Sequence, residues 1–217
     1  MRTFGFPEFL FILEAAKWTL ALSAIAFVGG AILGLLIALA RTSDSKVARG
    51  VSTGFIQIFQ GTPLLLQLFL IFFGAPVLGL DINPWIAAGI ALVLNSAAFL
   101  GEIWRGCIEA IPRGQWEAAE ALNLSYSARM RDVVLPQAFK IALPPTVGYL
   151  VQIIKGTSLA AIIGFTEITR AGQIINNATF QPLHVFTTVA AIYFVICWPL
   201  SLLAARMERK RNRALAR

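Results

Sequence analysis

Gln57, Gln60, Thr62 and Gln67 lie within one apolar stretch of the chain. Asn95, Ser96 and Glu102 lie in a second, and Gln152, Lys155, Thr157 and Ser158 in a third. No nucleophile–base set and no metal-ligand cluster is visible among them, so bond-making chemistry has no natural seat. Amides, hydroxyls, one carboxylate and one ammonium are suited to recognition by hydrogen bonding. Gly61-Thr62-Pro63 adds backbone groups to that supply. Pro63 lacks an N–H and clashes with the preceding turn, so a helix through it must be interrupted. Broken helices at membrane depth expose amides and carbonyls, which suits a zwitterion carrying an ammonium and a carboxylate.

The candidates for ligand contact are therefore Thr62, Gln67, Asn95, Ser96, Glu102, Lys155, Thr157 and Ser158. The competing reading is that each hydroxyl bonds its own backbone or a neighbouring helix. Lys155 is the costliest to leave alone in lipid. It either pairs, with Glu102 as partner, or lines a wet cavity; Glu102 fits the water interface equally well. His184, the only histidine, begins an apolar run and reads as an interface residue.

The elements that hold these groups must sit in a membrane. Of the 217 residues 58% are hydrophobic and only 13% charged, against about 25% charged in a soluble domain. The spacing predicts an all-α membrane protein of one domain, residues 1–217, with five spans near 18–40, 55–79, 85–103, 141–164 and 184–205. Each is close to the roughly 20 residues a crossing helix needs. Barrel strands would alternate over about ten residues and do not fit. Span 1 holds Gly29, Gly30 and Gly34, which either permit close helix approach or reflect the ordinary glycine content of such helices. Cys107 and Cys197 do not form a disulfide framework. Glu8 interrupts the first apolar stretch, and no small-residue cleavage site follows, so a signal peptide is not expected.

Of the 18 Lys and Arg, 14 fall between spans 1 and 2, between spans 3 and 4, or after span 5. The positive-inside rule puts those segments and the C-terminus in the cytoplasm and the N-terminus outside. The same grouping at the ends of apolar runs argues against nucleic acid as the reason for the net charge of +7. Residues 113–138 then form a polar cytoplasmic loop. Gly114 can start a helix, with Glu117 in its first turn, where a carboxylate is favoured. Ala118, Ala119 and Ala121 favour helix and leave a small-sided face. Asn123 tolerates the left-handed conformation that ends helices. Ser125 or Ser127 can cap a second helix, which Pro136 limits. An alanine face anchors poorly to lipid and suits entry into a protein groove; an amphipathic helix lying on the lipid is the alternative.

This loop resembles the EAA loop of permease subunits of ATP-binding-cassette importers. That pattern is EAA, three residues, Gly, nine residues, then I-x-L-P. Here Glu117-Ala118-Ala119 is followed at the same spacing by Asn123, Val133, Leu135 and Pro136. FQGTPLLLQLFLIFFG (59–74), NSAAFLGEIWRG (95–106), IPRGQWEAA (111–119), LPQAFKIALPP (135–145) and KGTSLAAIIG (155–164) are similar to the branch that carries polar amino acids. Gly156 departs from it, standing where Lys-Asp-Thr-Ser-Leu places Asp.

The resemblance implies that Glu117, Ala118, Ala119, Asn123, Leu135 and Pro136 form a coupling element docking on a separate P-loop ATPase. ATP-Mg would be bound there and no cofactor by this chain. It also implies a second permease, an extracytoplasmic solute-binding protein, and residence in a bacterial cytoplasmic membrane. The sequence agrees about the ATPase, since it holds no GxxxxGK[ST] loop; Lys155-Gly156-Thr157-Ser158 has similar letters in the wrong order. Five spans are few for a closed path, so a dimer is expected. An ATP-independent secondary transporter is the rival reading. It is opposed by the lack of an obvious inverted repeat and by a docking loop that would have no purpose.

Overall fold

Residues 3–215 are described by a computed structural model; Arg2 and Arg217, which entered the charge count, lie outside them. The described elements are helical: α1 (Phe6–Thr42), α2 (Lys46–Gly61), α3 (Leu64–Val77), α4 (Pro84–Glu109), α5 (Arg113–Ala121), α6 (Tyr126–Ala128), α7 (Leu135–Gly156), α8 (Ile168–Thr179) and α9 (Pro182–Leu215). A π-helical segment, Arg129–Val134, joins α6 to α7, and a 3-10 segment, Thr157–Ile163, prolongs α7. Among the described residues, four stretches are long and apolar enough to cross a membrane: α1, α4, Tyr126–Ile163 and Pro182–Arg211. The pair α2 and α3, bent by 100°, makes a fifth if counted as one span.

Helix α1 begins well before the expected residue 18. Its first turns bury Ile12 and Ala15 against Ile168, Ala171, Val185 and Val189 of α8 and α9. Glu8 turns back to accept from the Gly5 N–H at 3.0 Å, which satisfies one of the amides a helix start leaves open. The central seam is α1 on α4. A Cβ on Gly30 would lie 2.5 Å from Ser96 Cβ, and one on Gly34 would lie 3.1 Å from the Ala97 carbonyl oxygen. These glycines are therefore there for close approach. The core beside the seam joins Leu22 and Ala26 to Leu68, Leu92, Ile153 and Phe165. Large side chains such as Leu36, Leu70 and Phe194 remain 60%, 73% and 61% exposed, as expected for surfaces that lipid solvates.

Three expectations need correction. The coupling-loop helix starts at Arg113 after Pro112, so Glu117 is its fifth residue and lies past the first turn. Pro136 does not stop the second helix. It falls in the first turn of α7, where its missing N–H costs nothing, and the π-helical segment carries the chain into it without a break. Finally, α8 was absent from the expected set. Its apolar positions Ile168, Ala171 and Ile175 follow helical spacing, but the segment is too short and polar to register as a span. Glu167, fully buried, caps it by accepting from Thr169 N at 2.9 Å and Arg170 N at 2.8 Å. Tyr193 donates to the same carboxylate at 2.7 Å. Burial pushes the Glu167 carboxyl above its ordinary range, against the opposing pull of these donors.

Candidate functional site

The sequence-predicted break occurs at Thr62-Pro63. Helix α2 ends at Gly61, Thr62 and Pro63 are extended, and α3 begins at Leu64. A break in lipid leaves carbonyls without partners, and one side chain answers two of them. Buried Gln67 donates from Nε2 to the Phe59 carbonyl at 2.8 Å and the Thr62 carbonyl at 3.0 Å, and also approaches Thr62 Oγ1 at 3.0 Å. Its Oε1 accepts from Asn95 Nδ2 at 3.1 Å. Asn95 Oδ1 in turn accepts from the Tyr149 hydroxyl at 3.4 Å. Thr62, Gln67, Asn95 and Tyr149 thus form one chain of hydrogen bonds from the break in α2–α3, across α4, to α7.

Beside this chain is a cavity of about 380 Å³ between α4 and α7, within the roughly 300–1,000 Å³ typical of small-molecule sites. Its polar lining is Asn95, Ser96, Tyr149 and Gln152, and Gly156 closes one wall. Phe99 stacks on the Tyr149 ring with centroids 5.3 Å apart. Tyr149 is not among the sequence-derived candidates; its signal is a hydroxyl on a long aromatic within the largely apolar run 147–154.

The remaining candidates are placed otherwise. Thr157 is fully buried and donates to the Ile154 carbonyl at 2.7 Å. Ser158 donates to the Lys155 carbonyl at 2.7 Å. Both hydroxyls are engaged by their own helix and neither lines the cavity. Lys155 and Glu102 do not meet. Glu102 pairs with Arg105, one turn on in α4, at 2.5 Å, and with Arg41 of α1 at 3.9 Å. Arg105 is in reach of Glu102 by i,i+3 spacing alone, a closeness that Lys155 on another helix cannot match. Lys155 is exposed, with no ion pair among the described residues.

The loop 113–138 forms a second site. Asn123 has φ 57°, in the left-handed region. Its N–H donates to the Glu120 carbonyl at 2.8 Å, and that of Leu124 donates to the Ala119 carbonyl at 3.2 Å. This paired closure is the Schellman arrangement, which needs a left-handed residue at that point. Ser125 then caps α6 through Ala128 N at 3.4 Å, and an Arg129–Glu120 ion pair at 3.4 Å ties the two arms together. Ala119 is only 2% exposed. It lies on the inward side of α5, which packs against the π-helical segment, so its side chain is removed from the exposed face. Leu135 is also turned inward, packed against the cluster of Ile108, Met130 and Val134. The face left open holds Glu117, Ala118 and Ala121, with Pro136 exposed below. At the tip stands Leu122, 75% exposed, an apolar knob outside the alanine pattern.

Residues 30–213 match the family model described as binding-protein-dependent transport system inner membrane component. The glutamine transport system permease protein of Escherichia coli K12 is 38% identical over 206 residues, covering 94% of each chain. The arginine transport system permease protein of Bacillus subtilis 168 is 37% identical over 205 residues, again covering 94% of each. A solved amino acid ABC transporter with histidines has a chain that superposes with a TM-score of 0.88 at 34% identity, covering 96% of this chain and all of that one. The methionine transporter MetNI, at 19% identity and TM-score 0.80, shares the fold. This chain belongs to the family of inner membrane components of binding-protein-dependent transport systems.

Proposed function

We propose that the chain is the membrane-spanning subunit of an importer for polar amino acids, driven by ATP hydrolysis on a separate P-loop ATPase. ATP-Mg is bound by that partner. A second permease completes the path, and an extracytoplasmic binding protein delivers the substrate. Residues 113–138 face the cytoplasm, in keeping with the grouping of Lys and Arg. The observation that carries this reading is the continuous helical stretch Tyr126–Ile163. One end packs against α5 of the loop, and the other supplies Tyr149, Gln152 and Gly156 to the cavity. A displacement of the loop by closure of the ATPase is transmitted along that rod to the cavity wall. ATP and substrate each bias the same pair of conformations. The amino acid class is supported by the glutamine and arginine permeases among the relatives and by the neutral hydrogen-bonding groups of the cavity.

The test is purification of the tagged chain from its native membrane. A P-loop ATPase should copurify, and its hydrolysis should rise when amino acid and binding protein are added. Transport by the purified chain alone, driven by an ion gradient, contradicts the reading.

A further inference from the structure

The cavity between α4 and α7 carries no formal charge. Its polar groups are the amides of Asn95 and Gln152 and the hydroxyls of Ser96 and Tyr149; the rest of its lining is apolar or Gly156. The ionic groups nearest in sequence are committed or turned away. Glu102 is held by Arg105 and Arg41, and Lys155 is absent from the lining. We infer that this cavity selects amino acids with uncharged hydrogen-bonding side chains against cationic and anionic ones, and that Gly156 is the position that sets this choice. The inference rests on the cavity being the substrate site of the importer proposed above.

The physical reason is the asymmetry between the two parts of the ligand. Every amino acid brings an ammonium and a carboxylate, whose opposite charges offset one another at close range. A charged side chain adds a third charge with no counter-ion in the wall, and an unpaired charge removed from water is strongly disfavoured. A side-chain amide or hydroxyl, by contrast, finds a donor and an acceptor in Gln152 and in the Ser96 hydroxyl. Further acceptor lone pairs are on Tyr149 Oη and Asn95 Oδ1, the hydrogens of both residues being already engaged. Gln152 is exposed, with its amide unpaired among the described residues, and is free to serve a ligand. At Gly156 a Cβ would stand 3.3 Å from Leu64 Cδ2 and 3.7 Å from Leu92 Cδ2. Both leucines line the same cavity, so a side chain at 156 enters it and meets only movable methyl groups. A carboxylate placed there supplies the counter-charge that the wall lacks.

The experiment measures equilibrium binding of tritiated L-glutamine, L-arginine and L-glutamate to the permease–ATPase complex in nanodiscs, with the binding protein left out. Glutamine should bind more tightly than the other two by roughly tenfold or more, the weight of one hydrogen-bonded charge left unpaired. Gly156→Asp should strengthen arginine binding by a similar factor, whereas the uncharged Gly156→Asn should not. Gln152→Trp, at the exposed rim, should block all binding. If Gln152→Trp blocks binding but the unaltered complex holds arginine or glutamate as tightly as glutamine, the selectivity inference is overturned while the site stands. If Gln152→Trp leaves binding intact, or none of the three amino acids binds, the cavity is not the substrate site and both readings fall. The comparison within the unaltered complex decides the selectivity even if Gly156→Asp fails to assemble.

Discussion

Leu122→Asp is expected to weaken the association of the chain with its ATPase by one to two orders of magnitude. Leu122 is 75% exposed at the tip of the loop, held out by the left-handed turn at Asn123. Seating a leucine in a groove is worth about 1.5–3 kcal/mol, which corresponds to roughly 10- to 150-fold in affinity, and aspartate adds the desolvation of a charge. The same position replaced by Met should lose little, since volume and polarity are kept. Asn123→Gly should preserve binding, because glycine takes positive φ freely. Asn123→Val should approach the effect of Leu122→Asp by opening the turn. Affinity is read by titrating the ATPase onto the permease in nanodiscs, and the thermal midpoint of the permease alone checks that folding is intact. Full affinity in both Leu122→Asp and Asn123→Val would show that the tip is a free surface.

Gln67→Leu should impair both folding and transport. Its amide closes the break between α2 and α3 by bonding the Phe59 and Thr62 carbonyls and receiving Asn95. Leucine keeps the bulk and removes every one of these bonds. A buried polar group left without a partner costs about 1–3 kcal/mol; the Thr62 carbonyl loses its Gln67 donor, and the Phe59 carbonyl and the Asn95 amide are left with only their mutual bond at 3.4 Å. The thermal midpoint should fall by several degrees, and uptake should fall in whatever fraction still assembles, because Asn95 borders the cavity. Gln67→Glu, which retains an acceptor for Asn95 but not the donor to the carbonyls, should be intermediate. An unchanged midpoint and full uptake in Gln67→Leu would mean that the break is held by the chain around it.

Local rules made part of this legible from sequence. Pro63 forces the helix break wherever the rest of the fold lies, and Asn123 ends α5 as its spacing indicated. Thr62, Gln67, Asn95 and Ser96 stood out because polar groups in apolar runs require a reason. Which partner each would find depends on how helices meet, and one sequence does not state that. Glu102 chose Arg105 and Arg41 over Lys155, and the Thr157 and Ser158 hydroxyls bonded their own helix. Tyr149 was overlooked because a tyrosine in an apolar run looks like packing until α7 is laid beside α4. Ala119 and Leu122 show the same limit on the loop. The alanine pattern marked a close approach, but the approach is partly to this chain's own π-helical segment, which leaves the leucine at the tip to face outward.

ATP-dependent uptake by the reconstituted system tests the central claim most directly. Proteoliposomes holding the permease and its ATPase, with binding protein and labelled L-glutamine outside and no ion gradient, should accumulate the amino acid only when ATP-Mg is present inside. Accumulation should cease with a non-hydrolysable ATP analogue, and with the Leu122→Asp permease at equal protein content. Glutamine accumulation that proceeds without ATP and follows an imposed proton or sodium gradient would contradict the proposed mechanism and identify a secondary transporter.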